Sequence, residues 1–310
     1  MAHNHSHHEG GHGHHHGHHH HHHAGSSSKN ILTALLLNLS FTVVEIVGGL
    51  LSNSLAILSD AVHDLGDSLA LGMSYYAEKR SGQKVKDENY TFGLRRLPLM
   101  SAALNALILL GGSAWVVVNA LPRLQAPEPV KSGWMIVLAV VGVAVNGLAV
   151  LRLKGNKGIN SRVVALHLLE DALGWVAVLI GAVAIHYTGY YIIDPILSLL
   201  IACYIFYNAF KSLREVYFLL VQRSPATVEV SQMKQQLEAL EDIRQITDLH
   251  IWSLEGTHHI LSLHALVTPN LQPEQQHALK TSMRRIINKH GEFHSTIELE
   301  YNLDECGDHC

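Results

Sequence analysis

The chain has 310 residues, of which only 15% are charged, with 22 Lys and Arg against 26 Asp and Glu and a mean hydropathy of +0.15. Because an average soluble domain has about 25% charged residues, these figures indicate a membrane protein, and the near-neutral balance without a basic stripe argues against a nucleic-acid binder. Three cysteines are too few for a disulfide scaffold, whereas 25 histidines indicate a metal.

A low-complexity tail of His, Gly and Ser opens the chain, and it holds 14 of the 25 histidines within its first 23 positions. This tail lacks an apolar core, so it is neither a signal peptide nor a folded element. We expect residues 1–28 to form a disordered, His-rich cytoplasmic tail.

Six apolar stretches follow, each long enough to cross about 30 Å of hydrocarbon as a helix of about 20 residues. They lie near residues 31–51, 54–78, 97–121, 133–153, 162–187 and 191–213. From Ser224 onward the composition becomes polar and amphipathic. The sequence therefore predicts a transmembrane domain of six helices over 29–220, a small cytoplasmic domain over 221–303 and a Cys/His tail over 304–310.

Basic residues are concentrated in the two loops that follow spans 2 and 4. They are Lys79, Arg80, Lys84, Lys86, Arg95 and Arg96 in the first loop, and Arg152, Lys154, Lys157 and Arg162 in the second. The opposite loops carry only Arg123 and Lys131. The positive-inside rule therefore predicts cytoplasmic basic loops and cytoplasmic termini in a multi-pass membrane protein.

Spans 2 and 5 each contain the pattern His-x-x-x-Asp, formed by His63 and Asp67 and by His167 and Asp171. Ionisable groups at membrane depth are costly and indicate function, and a spacing of four residues places both side chains on one helix face. Two such faces opposed would supply the tetrahedral N/O ligand set that Zn²⁺ accepts, and two aspartates would neutralise one divalent cation. The ligand types disfavour Cu(I), Mg²⁺ and Ca²⁺ but leave Cd²⁺, Co²⁺, Ni²⁺ and Fe²⁺ open.

The polar groups in the spans also have other interpretations. The paired residues could serve only as hydrogen-bonding contacts between helices, although two matching pairs in separate spans make this interpretation weaker. Asp60 lies about two turns before Asp67 on much the same stripe, and it is either a pathway residue or a helix-start charge. Glu45 is a lone carboxylate in span 1 that needs a partner or water, and it is a second candidate pathway residue.

The C-terminal domain has the element order α-β-β-α-β, which predicts a small open sheet with helices on one face. Period-2 alternation places Leu249, Ile251, Leu261, Leu263, Ile297 and Leu299 against the helices. The opposite, uncovered face would present Asp248, His250, Trp252, Ser262, His264, Glu298 and Glu300. This face is either a metal site at a dimer contact or a solvated polar surface.

The segments VEIVGGLLSNSLAILSDAVHDLGD, YTFGLRR, HLLEDALG and YIIDP resemble those of cation diffusion facilitators, most closely bacterial zinc exporters of that family. The resemblance covers the chain after the His tail and implies a bacterial inner membrane as the location. The same resemblance implies a transport site at the two His-x-x-x-Asp pairs, with zinc as substrate and cadmium as an alternative. It also implies a homodimeric, ferredoxin-like cytoplasmic domain with zinc as a structural or regulatory ligand. Its candidate ligands are His250, His264 and Glu300, with His277, His294 and the tail residues Cys306 and Cys310 as further candidates.

These observations together predict a secondary active transporter that exchanges cytoplasmic Zn²⁺ for external protons, since metal and protons compete for the same ligands. A metalloprotease would need a His-Glu-x-x-His helix and an ATP-driven pump a Walker A loop, and the sequence contains neither. The main alternative is a membrane metal sensor or storage protein that does not transport. That alternative does not explain paired ligands in two spans.

Overall fold

The computed structural model describes residues 28–81, 90–153 and 159–302. The predicted His-rich tail, apart from Ser28, and the candidate ligands Cys306 and Cys310 lie outside the described residues. The side chain of His167 also lies outside them, although its backbone is described.

Within the described residues, six long helices form the N-terminal domain. They are α1 Ser28–Ser52, α2 Leu55–Ser81, α3 Leu97–Gln125, α4 Ser132–Leu153, α5 Ile159–Thr188 and α6 Ile193–Leu220. All of these except α2 are long and apolar enough to cross a membrane. Helix α2 has a comparable length of 27 residues but carries Asp60, Asp64 and Asp67, which lower its hydropathy. The predicted helical transmembrane domain is confirmed.

Helix packing places α2 in the middle of this domain. Its main neighbours are α1 and α3, whereas α5 packs mainly on α4, so α2 and α5 touch at few positions. Small residues allow α2 to approach α3 closely: a Cβ on Gly66 would lie 2.3 Å from Oδ1 of Asn105, and one on Gly112 would lie 2.1 Å from Cγ1 of Val62. The seam between α2 and α5 is therefore less tightly packed than the seam between α2 and α3.

The C-terminal domain has the predicted αββαβ order. Its elements are α7 Val230–Glu238, β1 Ile243–Ser253, β2 His259–Val267, α8 Pro273–Ile287, a 3₁₀ turn Asn288–His290 and β3 Phe293–Glu300. Strand β2 is central, antiparallel to β1 and parallel to β3. The core between sheet and helices includes Met233 and Met283 from the helices and Ile251, Leu261 and Leu263 from the strands. The predicted small α+β domain is confirmed.

Glu300 and Trp252 are less exposed than the strand alternation predicts. Glu300 shares the sheet face of His264 as expected, yet it is only 3% exposed rather than solvated. A register shift in β1 between Ile246 and Asp248 leaves Thr247 as an extra residue, and its hydroxyl donates to the Glu300 carboxylate over 3.2 Å. Trp252, expected on the same uncovered face, is half-buried.

Candidate metal centre

The first candidate centre lies at the seam between α2 and α5. Nε2 of His63 lies 3.9 Å from Oδ2 of Asp67, one helical turn further along α2, and 3.9 Å from Oδ1 of Asp171 on α5. All three side chains are largely buried, with exposures of 26%, 16% and 15% for His63, Asp67 and Asp171. The imidazole thus lies between carboxylates from two helices that otherwise have little contact.

The separations can be compared with those in a zinc site. Two ligands that bind one tetrahedral Zn²⁺ at about 2.0–2.1 Å lie about 3.3 Å apart. The two His63 separations exceed this by about 0.6 Å each. A small approach of α5 to α2 would bring Asp171 to ligand spacing, and a side-chain adjustment within α2 would do the same for Asp67. Among the described side chains, no three His, Cys, Asp or Glu groups are arranged to hold a metal ion as they stand.

The fourth predicted ligand, His167, lies on α5 one helical turn before Asp171. Residues 167 and 171 belong to one uninterrupted helix, so the four-residue spacing places them on the same helix face. The position of its imidazole lies outside the described side chains.

Further carboxylates surround this centre. Glu45 of α1 is fully buried, and it lies next to Asp64 and within electrostatic range of Asp60 and Asp171. Asp60 faces α5, because a Cβ on Gly174 would lie 4.0 Å from its Oδ1. Such a concentration of acidic groups at membrane depth attracts cations.

The second candidate centre is on the polar face of the sheet in the C-terminal domain. Nδ1 of His264 lies 2.6 Å from Oε1 of Glu300, and its Nε2 lies 3.9 Å from Oε2 of Glu298. The hydrogen bond to Glu300 raises the pKa of the His264 imidazole above its ordinary value. The two ring nitrogens of His264 therefore face one carboxylate each.

The remaining candidates of this domain are not all brought together. His250 is exposed and pairs with Asp248, whose Oδ1 lies 3.0 Å from its Nε2. His277 is exposed on α8, and the ring of His294 packs edge-on against Phe92, with centroids 6.0 Å apart. Among the described hydrogen bonds and ion pairs, none joins His277 or His294 to His264 or Glu300.

Sequence reasoning assigned no role to Asp194, which the structure places at the start of α6 with no exposed surface. The segment YIIDP could have indicated a role for Asp194, because it places a charged residue at the beginning of an apolar span. Asp194 contacts residues about 140 positions away in the chain, including Ser54. No local sequence pattern could therefore reveal its partners.

The membrane helices, the His and Asp groups at their seam and the appended α+β domain define a membrane transporter of metal cations rather than an enzyme. Residues 31–221 match the cation efflux transmembrane domain, and residues 225–302 match the cytoplasmic domain of cation efflux proteins. The chain belongs to this family, the cation diffusion facilitators, and is of the ZitB type. The resemblance noted from the sequence is thereby confirmed.

Curated relatives match along nearly the whole chain. Zinc transporter ZitB of Pectobacterium atrosepticum is 35% identical, with 100% of this chain and 92% of the relative covered. A cadmium, cobalt and zinc/H(+)-K(+) antiporter of Bacillus velezensis is 30% identical, covering 97% and 92%. The metal cation efflux system protein CzcD of Cupriavidus metallidurans is 30% identical, covering 88% and 87%.

Proposed function

We propose that the protein is a proton-coupled antiporter that exports divalent metal from the cytoplasm, with Zn²⁺ as the main substrate and Cd²⁺ as a second one. The metal would bind His63, Asp67, His167 and Asp171. The observation that carries this proposal is the position of the His63 imidazole, 3.9 Å from a carboxylate oxygen of its own helix and 3.9 Å from one on α5.

The chemistry of these groups accounts for both binding and exchange. Two imidazoles and two carboxylates satisfy the tetrahedral preference of Zn²⁺, and the two negative charges cancel its charge inside the membrane. A proton and a metal ion cannot occupy the same imidazole nitrogen, so metal binding releases protons and protonation releases metal. Movement of α5 relative to α2 would open the centre to one side of the membrane at a time.

Names of the relatives agree with this proposal, since they include zinc transporters and an antiporter of metal against H(+) and K(+). The arginines Arg95 and Arg96 in the loop between α2 and α3 are exposed, as expected for a cytoplasmic basic loop. In the proposed orientation both termini and the α+β domain are in the cytoplasm.

Proton coupling can be tested with the full chain in liposomes that contain a zinc-sensitive dye. Zinc uptake should accelerate when the lumen is made acidic and should slow when the gradient is abolished with an ionophore. Uptake that is indifferent to the pH gradient would refute antiport. Zinc binding without any uptake would instead identify a sensor or storage protein.

The ligand assignment is tested by Asp171→Asn, which preserves shape but removes a charge from the proposed centre. We expect zinc transport to fall at least about a hundredfold, because the metal loses an anionic ligand in a poorly solvated site. The matched control is Glu170→Gln, an exposed neighbour on the same turn of α5. Equal losses in both variants would contradict the assignment, and transport of Zn²⁺ against Cd²⁺, Mn²⁺ and Fe²⁺ would rank the metals.

For the cytoplasmic domain, we infer a homodimer in which the polar sheet face binds zinc through His264 and Glu300, with His250 on the neighbouring strand β1 as a further ligand. The support is the 2.6 Å contact that links His264 to Glu300, because it places an imidazole and a carboxylate, both of them zinc ligand types, side by side. Light scattering with and without zinc should show a dimer that His264→Ala weakens only when zinc is present. An unchanged zinc dependence in that variant would exclude His264 as a ligand.

A further inference from the structure

The first turn of α2 is capped by a side chain from α6. Oδ2 of Asp194 accepts the backbone N–H of Leu55 over 2.9 Å, and its Oδ1 accepts the hydroxyl of Ser54 over 2.5 Å and the N–H of Ala56 over 3.4 Å. The Ser54 hydroxyl oxygen in turn accepts the N–H of Ile57 over 3.3 Å. The N–H groups that a helix leaves unpaired at its start are thus satisfied largely by another helix.

The Asp194 carboxylate uses most of its hydrogen-bonding capacity in this cap. Asp194 and Ser54 have no exposed surface, and three donors occupy most of the lone pairs of the Asp194 carboxylate. Asp194 also lies in the first turn of α6, so the positive ends of two helix dipoles, those of α2 and α6, meet at one negative charge. An aspartate in this state is poorly suited to bind a passing metal ion.

The same end of α6 also packs against α5. A Cβ on Gly181 of α5 would lie 2.2 Å from Cδ1 of Leu197 and 3.5 Å from Cγ2 of Ile193. Since α2 and α5 contact each other at few positions, the first turns of α6 form a common support for both helices. His63 is eight residues beyond Leu55, which corresponds to about 12 Å along α2.

We propose that Asp194 is a positioning residue for transport: by capping α2 from α6, it sets the rotation of α2 and the separation of His63 and Asp67 from Asp171. This proposal rests on the proposed function, and it assigns Asp194 no contact with the metal. The predicted consequence is that disrupting the cap weakens zinc binding at a centre about 12 Å away.

The test compares three variants of the full chain in liposomes, with initial zinc uptake measured over a range of zinc concentrations. Asp194→Asn turns one acceptor into a donor that faces other donors, and Ser54→Ala removes the hydroxyl link while keeping the carboxylate. The matched control is Glu128→Gln, which loosens the exposed contacts of Glu128 with Arg123 and Asn53 at the same end of the domain without touching the α2 cap.

We expect Asp194→Asn to raise the KM for zinc about tenfold, Ser54→Ala to raise it about threefold, and Glu128→Gln to change it less than about twofold. A purely structural role would reduce the amount of active protein, lowering the maximal rate at an unchanged KM. The double variant Ser54→Asp/Asp194→Ser swaps the two side chains and returns a carboxylate to the cap. It should recover part of the lost affinity for zinc.

A second measurement separates failure of this proposal from failure of the proposed function. Hydrogen exchange of the amides of residues 55–57 in the full chain should accelerate in Asp194→Asn and Ser54→Ala, whether or not the protein transports zinc. Wild-type protein that takes up no zinc would refute the proposed function alone. Unchanged exchange, a wild-type KM in Ser54→Ala, or a loss in Asp194→Asn confined to the maximal rate would overturn the role of Asp194.

Discussion

His264 and Glu300 form a pair in which one buried carboxylate controls the protonation of one imidazole. Glu300 raises the pKa of His264 above its unfolded value, so the pair stabilises the fold fully at pH values below that unfolded value. The contribution disappears as the pH rises through the raised pKa of the folded state. In the metal-free protein, Glu300→Gln should therefore reduce the thermal stability of the domain more at about pH 6 than at about pH 9.

Thermal unfolding of the chelator-treated full chain in detergent measures this difference. The matched control is Glu298→Gln, since Glu298 also faces His264 but is 66% exposed, and an exposed pair contributes little. A stability loss in Glu300→Gln that is independent of pH would show that the carboxylate acts by packing and not through the charge of His264.

The two candidate centres show what residue spacing can and cannot predict. His63 and Asp67 are four positions apart on one helix, so their proximity follows from helix geometry alone. The proximity of Asp171 to His63 was predicted because the same His-x-x-x-Asp motif occurs in both spans. The cap formed by Asp194 and the burial of Glu300 depend on contacts between distant segments and on an extra residue at Thr247, which periodicity does not encode.

At the scale of elements, glycine positions determine how closely α3 can approach α2. Gly112 faces Val62 of α2, and a Cβ on it would lie 2.1 Å from this stiff β-branched side chain. A Cβ on its neighbour Gly111 would have no atom of another described segment within 4 Å. We expect Gly112→Ala to lower stability by about 1–3 kcal/mol through overpacking, and Gly111→Ala to leave it unchanged.

Thermal unfolding of both glycine variants in the same detergent tests this prediction, and zinc transport provides a second readout because α2 carries two proposed ligands. Equal behaviour of the two variants would mean that α2 and α3 adjust their separation freely. A glycine pair within an apolar span is typical of close helix packing, but the sequence does not tell which of the two residues faces the neighbouring helix.

The hydrophobic cores indicate that the whole molecule is built from two units. The core of the α+β domain draws its buried residues from positions 228–297 only, and the cores among the membrane helices draw theirs from positions 56–209. Described side-chain contacts between the two parts include the ion pair of Arg95 with Glu255, at 3.6 Å, and the ring contact of Phe92 with His294. This ion pair is only partly solvated, with Arg95 45% and Glu255 14% exposed. One ion pair and one ring contact are nevertheless small beside two separate apolar cores, so we expect the parts to depend little on each other for stability.

We therefore expect a fragment of residues 222–302 to fold without the membrane domain and to unfold cooperatively on heating, because its apolar core is complete within the fragment. Circular dichroism and the fluorescence of Trp252, the one tryptophan in this stretch, would follow the transition. A matched variant, Leu261→Asp, places a charge at a fully buried position of β2 and should abolish the transition. A wild-type fragment that melts without cooperativity would show that the membrane domain supplies part of the stability of the α+β domain through contacts such as those of Arg95 and Phe92.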